Sequence, residues 1–365
     1  MNKRIKVASI FSGCGGSDLG ILGGFNFNGK KYGELPFEIV FALDNDAKAV
    51  ETYNKNFEHK AVTADIVKHP ISKIPDFELL LGGFPCQSFS TVNPSKNPFD
   101  DRAKLYKRMA RILKEKKPKF FIAENVKGLV VLKKGEIFRN VLREFEKQGY
   151  KTYWHLVNAA DYGVPQRRVR VFIIGVRNDL KTTYKFPNPI FSEHGLDGKK
   201  KWVGLGSVVD SLEIAEKKYY FSEKAVRGMK NAKNNMKRGL AQNLEKPSLT
   251  VTSHLAKVSL NSRDPVLLVN PKKEIYRRFT PLEAARIQSF PDSFTFAGSD
   301  ASAYHQIGNA IPPVVMWHVA QALIESIEGK TDPHGDIFCQ EEKHDNVSPA
   351  RKGHDIRGAR VPSLT

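Results

Sequence analysis

The chain has 365 residues, of which 41% are hydrophobic and 27% charged, as in a globular protein that builds its own core. Its 58 lysines and arginines outnumber 39 aspartates and glutamates, and this formal charge of +19 favours a polyanionic partner, most often nucleic acid. We expect no signal peptide and no membrane span, because no apolar run approaches the roughly 18 residues required. The three cysteines (Cys14, Cys86, Cys339) are far apart, so we expect neither a disulfide framework nor a metal site.

The first half of the chain alternates short apolar strands with helices. Helical spacing of Leu105, Met109, Ile112 and Leu113 predicts a helix that ends at Pro118, and residues 136–148 predict another. Strands are predicted over 5–11, 37–43, 77–83, 119–125, 151–157 and 169–176. This alternation predicts an α/β fold with a doubly wound, mainly parallel sheet.

Polar and glycine-rich segments follow the first four predicted strands. They are "SGCGG", Asp44, "GGFPCQ" and Glu124, in that order. Because ligands bind at the carboxyl ends of such strands, we expect these four segments to meet at one site. The glycine-rich turn could cradle a ligand or be a purely structural tight turn. Asp44 could hold ribose hydroxyls and Asp65 an adenine amino group, which together indicate an adenosine ligand that need not be a dinucleotide.

The second half is more basic and richer in turn residues. Residues 181–270 carry 16 lysines and arginines against 8 acids, and within 224–238 basic residues recur every third position from Lys224. A helix there would gather them into a phosphate-contacting face or a merely solvated one. "SLTVTSHLAKVSL" (248–260) predicts strands, and Thr280, Pro281 and Glu283 predict a helix start with a capping box. "QIGNAIPP" predicts a tight turn followed by a helix from Pro312 or Pro313.

Cys86 is the candidate nucleophile. Free cysteines are more often buried than reactive, but this one lies in a polar, glycine-rich loop at the predicted ligand edge. A carboxylate beside a thiolate raises the pKa of both groups, which is useful if Glu124 must be protonated to donate a proton. In "PQRRVRV", Arg168 and Arg170 alternate on one strand face, so both could point into the site or both could be exposed.

The ordered set of motifs resembles the DNA (cytosine-5) methyltransferases of restriction–modification systems. "FSGCGG", Asp44, "GGFPCQSFS", "ENV", "QRRVRV" and "GNAIPP" stand in the family's order, and the resemblance covers residues 5 to 327. It implies the fold of the S-adenosylmethionine-dependent methyltransferases, duplex DNA as substrate and S-adenosyl-L-methionine as cofactor. It implies that Cys86 adds to C6 of a flipped-out cytosine and that Glu124 protonates N3. Arg168 and Arg170 match family arginines near the base and its phosphate.

The resemblance also implies binding residues and a domain division. The cofactor-binding positions are Phe11, Gly13, Gly15, Asp44, Asp65, Pro85, Leu105 and Asn309, and candidate DNA contacts are Gln87, Ser88, Ser90, Arg102, Arg227 and Lys230. We expect a catalytic domain over 1–184, completed by a helix over 306–328, and a small target-recognition domain over 185–303. Residues 329–365 are expected to be a poorly ordered tail.

Two other interpretations remain open at this point. An RNA-methylating branch shares the fold and the Pro-Cys loop, which leaves a tRNA substrate as an alternative. A non-catalytic DNA-binding relative is the other, although the retained Cys86, Glu124 and both arginines argue against it. We expect a cytoplasmic monomer of prokaryotic type, with a cognate restriction endonuclease that acts on the same site without direct contact.

Overall fold

The structure is a computed structural model that describes residues 4–84, 103–231, 241–256 and 266–330. Its strands are β1 (Ile5–Ile10), β2 (Phe25–Phe27), β3 (Lys30–Tyr32), β4 (Phe37–Asp44), β5 (Val62–Thr63), β6 (Leu79–Gly82), β7 (Phe120–Val126), β8 (Tyr150–Asn158), β9 (Val169–Arg177), β10 (Phe191–Ser192), β11 (Lys200–Lys201), β12 (Leu267–Asn270) and β13 (Ile275–Arg277). Its helices are α1 (Gly16–Leu22), α2 (Ala47–Asn56), α3 (Ala103–Lys116), α4 (Gly128–Val131), α5 (Glu136–Glu146), α6 (Glu223–Lys230), α7 (Pro281–Ile287), α8 (Asp300–Asn309) and α9 (Pro313–Ile327).

Seven strands form one sheet in the order β5-β4-β1-β6-β7-β9-β8. The first five in this order run parallel, whereas β9 is antiparallel to both β7 and β8. The predicted mainly parallel sheet is confirmed, and the six predicted strands are present with bounds shifted by at most two residues. The reversal of β9 was not predicted, because a buried strand has the same apolar pattern in either direction.

Alternate side chains of each central strand enter two hydrophobic layers. Leu79 and Leu81 of β6 pack in the layer that contains α1 and α9, while Leu80 packs in the layer that contains α3 and α5. This is the period of two that a pleated strand imposes. The predicted apolar face of α3 is confirmed, since Met109 and Leu113 are fully buried in the second layer. The predicted second helix is also confirmed, as α5.

The last helix returns to the first one. A Cβ on Gly20 of α1 would lie 2.5 Å from the carbonyl oxygen of Pro313 and 2.6 Å from the Cβ of Met316, so only glycine permits this close approach. Asp300–Ile327, which spans α8 and α9, is long and apolar enough to cross a membrane, but 83% of its most apolar window is buried inside the protein. Its hydrophobicity is therefore that of core helices.

Two predictions in the C-terminal half differ from the structure. Residues 248–256 contain no strand, only an isolated bridge between Ser248 and Gln166, because their backbone hydrogen bonds go to a neighbouring loop and to buried side chains. Residues 306–309 are the last turn of α8 and not a tight turn. The capping box is confirmed at α7: Thr280 Oγ1 accepts from the amide of Glu283, and Glu283 accepts from the amide of Thr280.

Asp18 in α1 is a carboxyl group buried under the parallel sheet. Its oxygens accept hydrogen bonds from Ser9, Ser17 and Tyr53 at 2.9–3.0 Å. Burial outweighs these bonds and raises the pKa of Asp18 from 3.8 to about 6. The pKa of Asp18 is thus higher in the folded state than in the unfolded state, so the folded protein favours the protonated group. The free energy of unfolding therefore decreases as pH rises from about 4 through 6.

Asp18→Asn should therefore remove a pH-dependent penalty. We expect the free energy of unfolding of the unmodified protein, relative to the variant, to fall by about 1 kcal/mol between pH 5 and pH 7. Urea unfolding at several pH values measures this difference. Parallel pH profiles for the two proteins would show that Asp18 titrates as an ordinary carboxyl group.

Candidate active site at the carboxyl edge of the sheet

Four parallel strands end at the same edge of the sheet. In the strand register, Ile10 lies opposite Leu43 and opposite Gly82, and Gly82 lies opposite Ala123. The segments that follow β1, β4, β6 and β7 therefore start side by side. This is the convergence that the sequence predicts, and it places Glu124 next to Gly83 and Phe84, the last described residues before Cys86.

Glu124 and Arg170 form an ion pair at this edge. Arg170 Nε lies 3.2 Å from Glu124 Oε1, and the two side chains are 16% and 12% exposed. Burial raises the pKa of Glu124, and the charges of Arg170 and then Arg168 oppose that rise without cancelling it. The carboxyl group is thus easier to protonate than an ordinary glutamate and still has a cation that stabilises its ionised form.

The chain before Cys86 is held against Glu124. A Cβ on Gly83 would lie 3.4 Å from Glu124 Oε2, an ordinary van der Waals distance, so Gly83 lies directly beside the carboxyl group. Asn125 Nδ2 donates to the carbonyl oxygen of the buried Phe84 at 2.8 Å. Asn125 was not predicted as a site residue, although it stands in the quoted "ENV" motif.

Several predicted residues fall outside the described part of the chain. They are Pro85, Cys86, Gln87, Ser88, Ser90 and Arg102. Of the cysteines, the described one is Cys14, which is buried; burial raises the pKa of its thiol to about 12. Cys14 therefore stays a neutral thiol at physiological pH and is unsuited to act as a nucleophile.

The second arginine has a different environment from Arg170. Arg168 is 3% exposed and donates to the carbonyl oxygens of Val251, Gly308 and Ala310, each at 3.0 Å. Burial lowers the pKa of Arg168, and the charge of Glu124 partly opposes this. Sequence alternation suggested that both arginines could reach the site, but the hydrogen bonds of Arg168 tie the start of β9 to the segments around Val251 and Asn309.

Two buried glutamines extend this connection. Gln166 donates to Gln288 Oε1 at 2.6 Å and accepts from the amide of Val251 at 2.8 Å. Gln288 in turn donates to the carbonyl oxygens of Ile307 and Ala310. With Arg168 they form what we call the buried polar network (Gln166, Arg168, Gln288). It joins four segments that are distant in sequence, so periodicity could not have predicted it; the "PQRR" motif was its one visible signal.

Gly308 lies where this network brings two backbones together. A Cβ there would lie 2.2 Å from both the carbonyl carbon of Thr252 and the amide nitrogen of Ser253. Gly308→Ala should therefore lower the free energy of unfolding by about 1–3 kcal/mol, since backbone atoms cannot move aside as a side chain could. Chemical denaturation measures it. Gly33→Ala is the matched control, because none of the described residues comes within 4 Å of a Cβ at Gly33, and an equal loss in both variants would contradict the packing argument.

Three predicted cofactor-binding residues, Phe11, Gly13 and Gly15, lie in the loop after β1, and a fourth, Asp44, is hydrogen-bonded to that loop. Asp44 Oδ2 accepts from the amide of Gly13 at 2.8 Å, and its Oδ1 accepts from the amide of Asp46 at 2.9 Å. Phe11 and Leu105 are partly buried and pack against the same hydrophobic layer. Phe11, Gly13 and Gly15 all have left-handed backbone angles, which turns this loop sharply after the strand.

Space beside this loop suits a ligand. Among the described residues, no atom lies within 4 Å of a Cβ position on Gly13, and the buried Ser12 Oγ has no hydrogen-bond partner. Asp65 and Asn309 are exposed at the ends of other elements; Asn309 Nδ2 lies 3.1 Å from His305 Nε2, and His305 lies 4.0 Å from Asp46. A ligand in this space could thus contact carboxylate oxygens, the side-chain amide of Asn309 and the apolar side chains of Phe11 and Leu105.

The predicted DNA contacts on α6 belong to a separate packing unit. Val226 and Met229 on the buried side of α6 pack against Val266 and Tyr276. Arg227 is exposed, whereas Lys230 is half-buried and forms an ion pair with Glu274. Of the helix predicted over 224–238, the structure shows α6 as far as Lys230, and residues 232–238 lie outside the described ranges. Arg227 faces solvent on this helix.

Comparisons with known proteins agree with this geometry. The family model described as C-5 cytosine-specific DNA methylase matches residues 5–325. The Type II methyltransferase M.NgoFVII of Neisseria gonorrhoeae is 32% identical over 382 residues, covering 96% of each chain. The Type II methyltransferase M.NlaX of Neisseria lactamica is 33% identical over 331 residues, covering 90% of this chain and 98% of its own.

Solved structures show the same fold at lower identity. The methyltransferase EhMeth of Entamoeba histolytica superimposes with a TM-score of 0.70 at 19% identity, covering 89% of this chain and 99% of that one. The Dnmt2 methyltransferase of S. pombe gives a TM-score of 0.67 at 20% identity, with the same coverage. At such identities the likeness concerns the fold alone.

Proposed function

The chain belongs to the C-5 cytosine-specific DNA methylase family, and we propose how its residues divide the work of methylating C5 of cytosine in duplex DNA. The relatives that it matches over 90% or more of its length are named Type II methyltransferases. We accordingly propose that it is the sequence-specific modification enzyme of a restriction–modification system, acting as a monomer in the cytoplasm of a prokaryotic cell. A cognate endonuclease would cut the same unmethylated sequence without touching this chain.

The Glu124–Arg170 pair is the observation that carries the chemical proposal. A buried carboxyl group with a raised pKa is protonated more readily than an exposed one and can give its proton to a ring nitrogen. We assign Glu124 to cytosine N3, where it neutralises charge that develops as a nucleophile adds to the ring. Arg170, 3.2 Å away, fixes the carboxyl group and can face the same base. Arg168 acts indirectly, by holding Asn309 and Val251 in place.

Cys86 is the proposed nucleophile. Cytosine C5 is a poor nucleophile until a group adds to C6, so the Cys86 thiolate would form a bond to C6 while N3 takes a proton from Glu124. The resulting enamine is nucleophilic at C5 and can accept a methyl group there. A base then removes the C5 proton, the C6–sulfur bond breaks, the thiolate leaves, and N3 returns its proton to Glu124. Asn125, by holding the Phe84 carbonyl, would fix one end of the Cys86 loop.

We propose S-adenosyl-L-methionine as the methyl donor, and the loop after β1 fits it. The open space beside Gly13 and the unpartnered Ser12 Oγ, both within the described ranges, indicate room and an unused polar atom. Asp44 would accept from ribose hydroxyls, Phe11 and Leu105 would contact the apolar parts, and Asp65, Asn309, Gly15 and Pro85 would complete the site. When bound there, the cofactor supplies an electrophilic methyl group.

Duplex DNA would be bound with its target cytosine flipped out of the stack, because neighbouring bases cover the ring face through which C5 and C6 react. Gln87, Ser88, Ser90 and Arg102 are the proposed contacts around the Cys86 loop, and Arg227 and Lys230 those of the small domain over 185–303. These contacts and the domain division remain predictions from the sequence.

One experiment tests activity and target together. The 365-residue chain is incubated with methyl-labelled S-adenosyl-L-methionine and a mixed-sequence plasmid, with tRNA as a competing acceptor, and 5-methylcytosine is mapped at base resolution. We expect label at C5 of one cytosine within a recurring short sequence and no competition by tRNA. Label on tRNA alone, or on an amino nitrogen, would overturn the proposal.

A further inference from the structure

The segment that follows the Glu124 strand has an unusual backbone. Lys133 (φ 48°, ψ 47°) and Lys134 (φ 53°, ψ 36°) are both left-handed, and Gly135 continues with φ 79°. A side chain makes this conformation unfavourable, so two consecutive lysines in it are maintained by their surroundings. Such residues concentrate at ligand clamps and active sites.

This segment, the 127–135 loop, lies at the carboxyl edge of the sheet. It begins three residues after Glu124, so Lys127 is within roughly 10 Å of that residue along the chain. Val126, just before it, is opposite Arg170 in the strand register. The loop is anchored by Leu129, which is fully buried in the layer that also receives Phe11 and Leu105.

The exposed side of the 127–135 loop is basic. Lys127, Lys133 and Lys134 are exposed, as is Arg139 on the adjoining turn of α5, and Glu136 is the one acid within 127–139. Arg139 Nη1 donates to the carbonyl oxygen of Lys134 at 3.2 Å and so helps to hold the left-handed backbone. Val131, in the same segment, has 63% of its surface exposed. Basic side chains on a braced loop are suited to phosphate oxygens.

We propose that the 127–135 loop is a second DNA-contacting element, in which Lys127 and Lys134 bind backbone phosphates close to the flipped cytosine. This inference rests on the proposed function, since it assumes that DNA reaches Glu124. The contacts are independent of sequence, because phosphates carry no base identity. They would position the strand that contains the target cytosine from the side of the sheet opposite α1 and α9.

The double variant Lys127→Gln, Lys134→Gln tests the contact by salt dependence. Removal of one phosphate-binding lysine should reduce the slope of log Kobs against log salt concentration by about 0.9, hence removal of both by about 1.8. The fall in affinity should be equal for duplexes with and without the target sequence. KM for DNA should rise while kcat at saturating DNA stays unchanged. The charge-conserving Lys127→Arg, Lys134→Arg variant should keep the original slope.

Lys117→Gln is the matched control. Lys117 is also exposed and left-handed (φ 48°), but it precedes β7 and lies at the opposite edge of the sheet. An unchanged slope in the double variant, or an equal change in Lys117→Gln, overturns the proposal and leaves a solvated loop. Methylation of plasmid by the unmodified chain is measured in parallel, so a failure of the proposed function is recognised by itself.

Discussion

Cys86→Ala should lower the rate of methyl transfer to DNA by at least about 1000-fold, because the ring carbon C5 then has no route to an enamine. Binding of duplex DNA should be retained, since the substitution removes only a sulfur atom. Single-turnover transfer of labelled methyl measures the chemical step apart from product release. Cys14 cannot substitute for Cys86, because burial keeps its thiol neutral.

A covalent trap makes this prediction sharper. In DNA with 5-fluorocytosine at the target, the final base has no proton to remove from C5, so the bond between C6 and sulfur should persist. The unmodified chain should give a complex that survives denaturation, and Cys86→Ala should give none. Cys339→Ala is the matched control and should behave as the unmodified chain. A trapped complex in Cys86→Ala would mean that another residue attacks C6.

Glu124→Gln should reduce kcat by about 10²–10⁴-fold, the usual contribution of a general acid. Glutamine has the shape of the carboxyl group and can remain beside Arg170 and Gly83, but it cannot transfer a proton to N3. Formation of the covalent complex should slow together with methyl transfer, because both need charge neutralised at N3. Rapid-quench assays of the two steps measure this.

Glu78→Gln is the control for the loss of a carboxylate. Glu78 precedes β6 at the other edge of the sheet, where it pairs with Lys119 at 2.8 Å. Its replacement should leave kcat unchanged, because this partly exposed ion pair lies at the other edge of the sheet, away from the site. If Glu124→Gln retained full turnover, the raised pKa of Glu124 would be only a consequence of its burial.

Much of the fold was predictable because its signals are local. A pleated strand alternates its neighbours and a helix repeats every 3.6 residues, so the six principal strands, α3 and α5 are visible in the chain. The carboxyl-edge site was predictable for the same reason: once the strands were recognised, the segments after them had to meet. The start of α7 was predictable in the same way, because its capping signal is confined to Thr280, Pro281 and Glu283.

The contacts that could not be predicted join distant segments. Arg168 bonds to residues 83 to 142 positions away, and nothing local distinguishes it from Arg170, two residues on. The same contacts interrupt any strand over 248–256, since the amide of Val251 is bonded to Gln166 and its carbonyl oxygen to Arg168. Asn125 is next to Glu124 in the sequence, but its proposed role comes from its hydrogen bond to the carbonyl oxygen of Phe84, 41 residues earlier.

The backbone of Thr252–Ser253, pressed against Gly308, has a consequence for exchanging specificity between relatives. If the proposed target-recognition domain over 185–303 is transplanted from another enzyme, residues 248–253 must match the host's Gln166, Arg168 and Gly308, because they are packed and hydrogen-bonded to them. A graft that ends before residue 248 keeps this contact within one parent. A graft that replaces residues 248–253 as well packs donor residues against host residues from a different protein. The best junction between host and donor sequence is therefore determined by the packing of the host. It lies within the domain that is expected to recognise the DNA sequence.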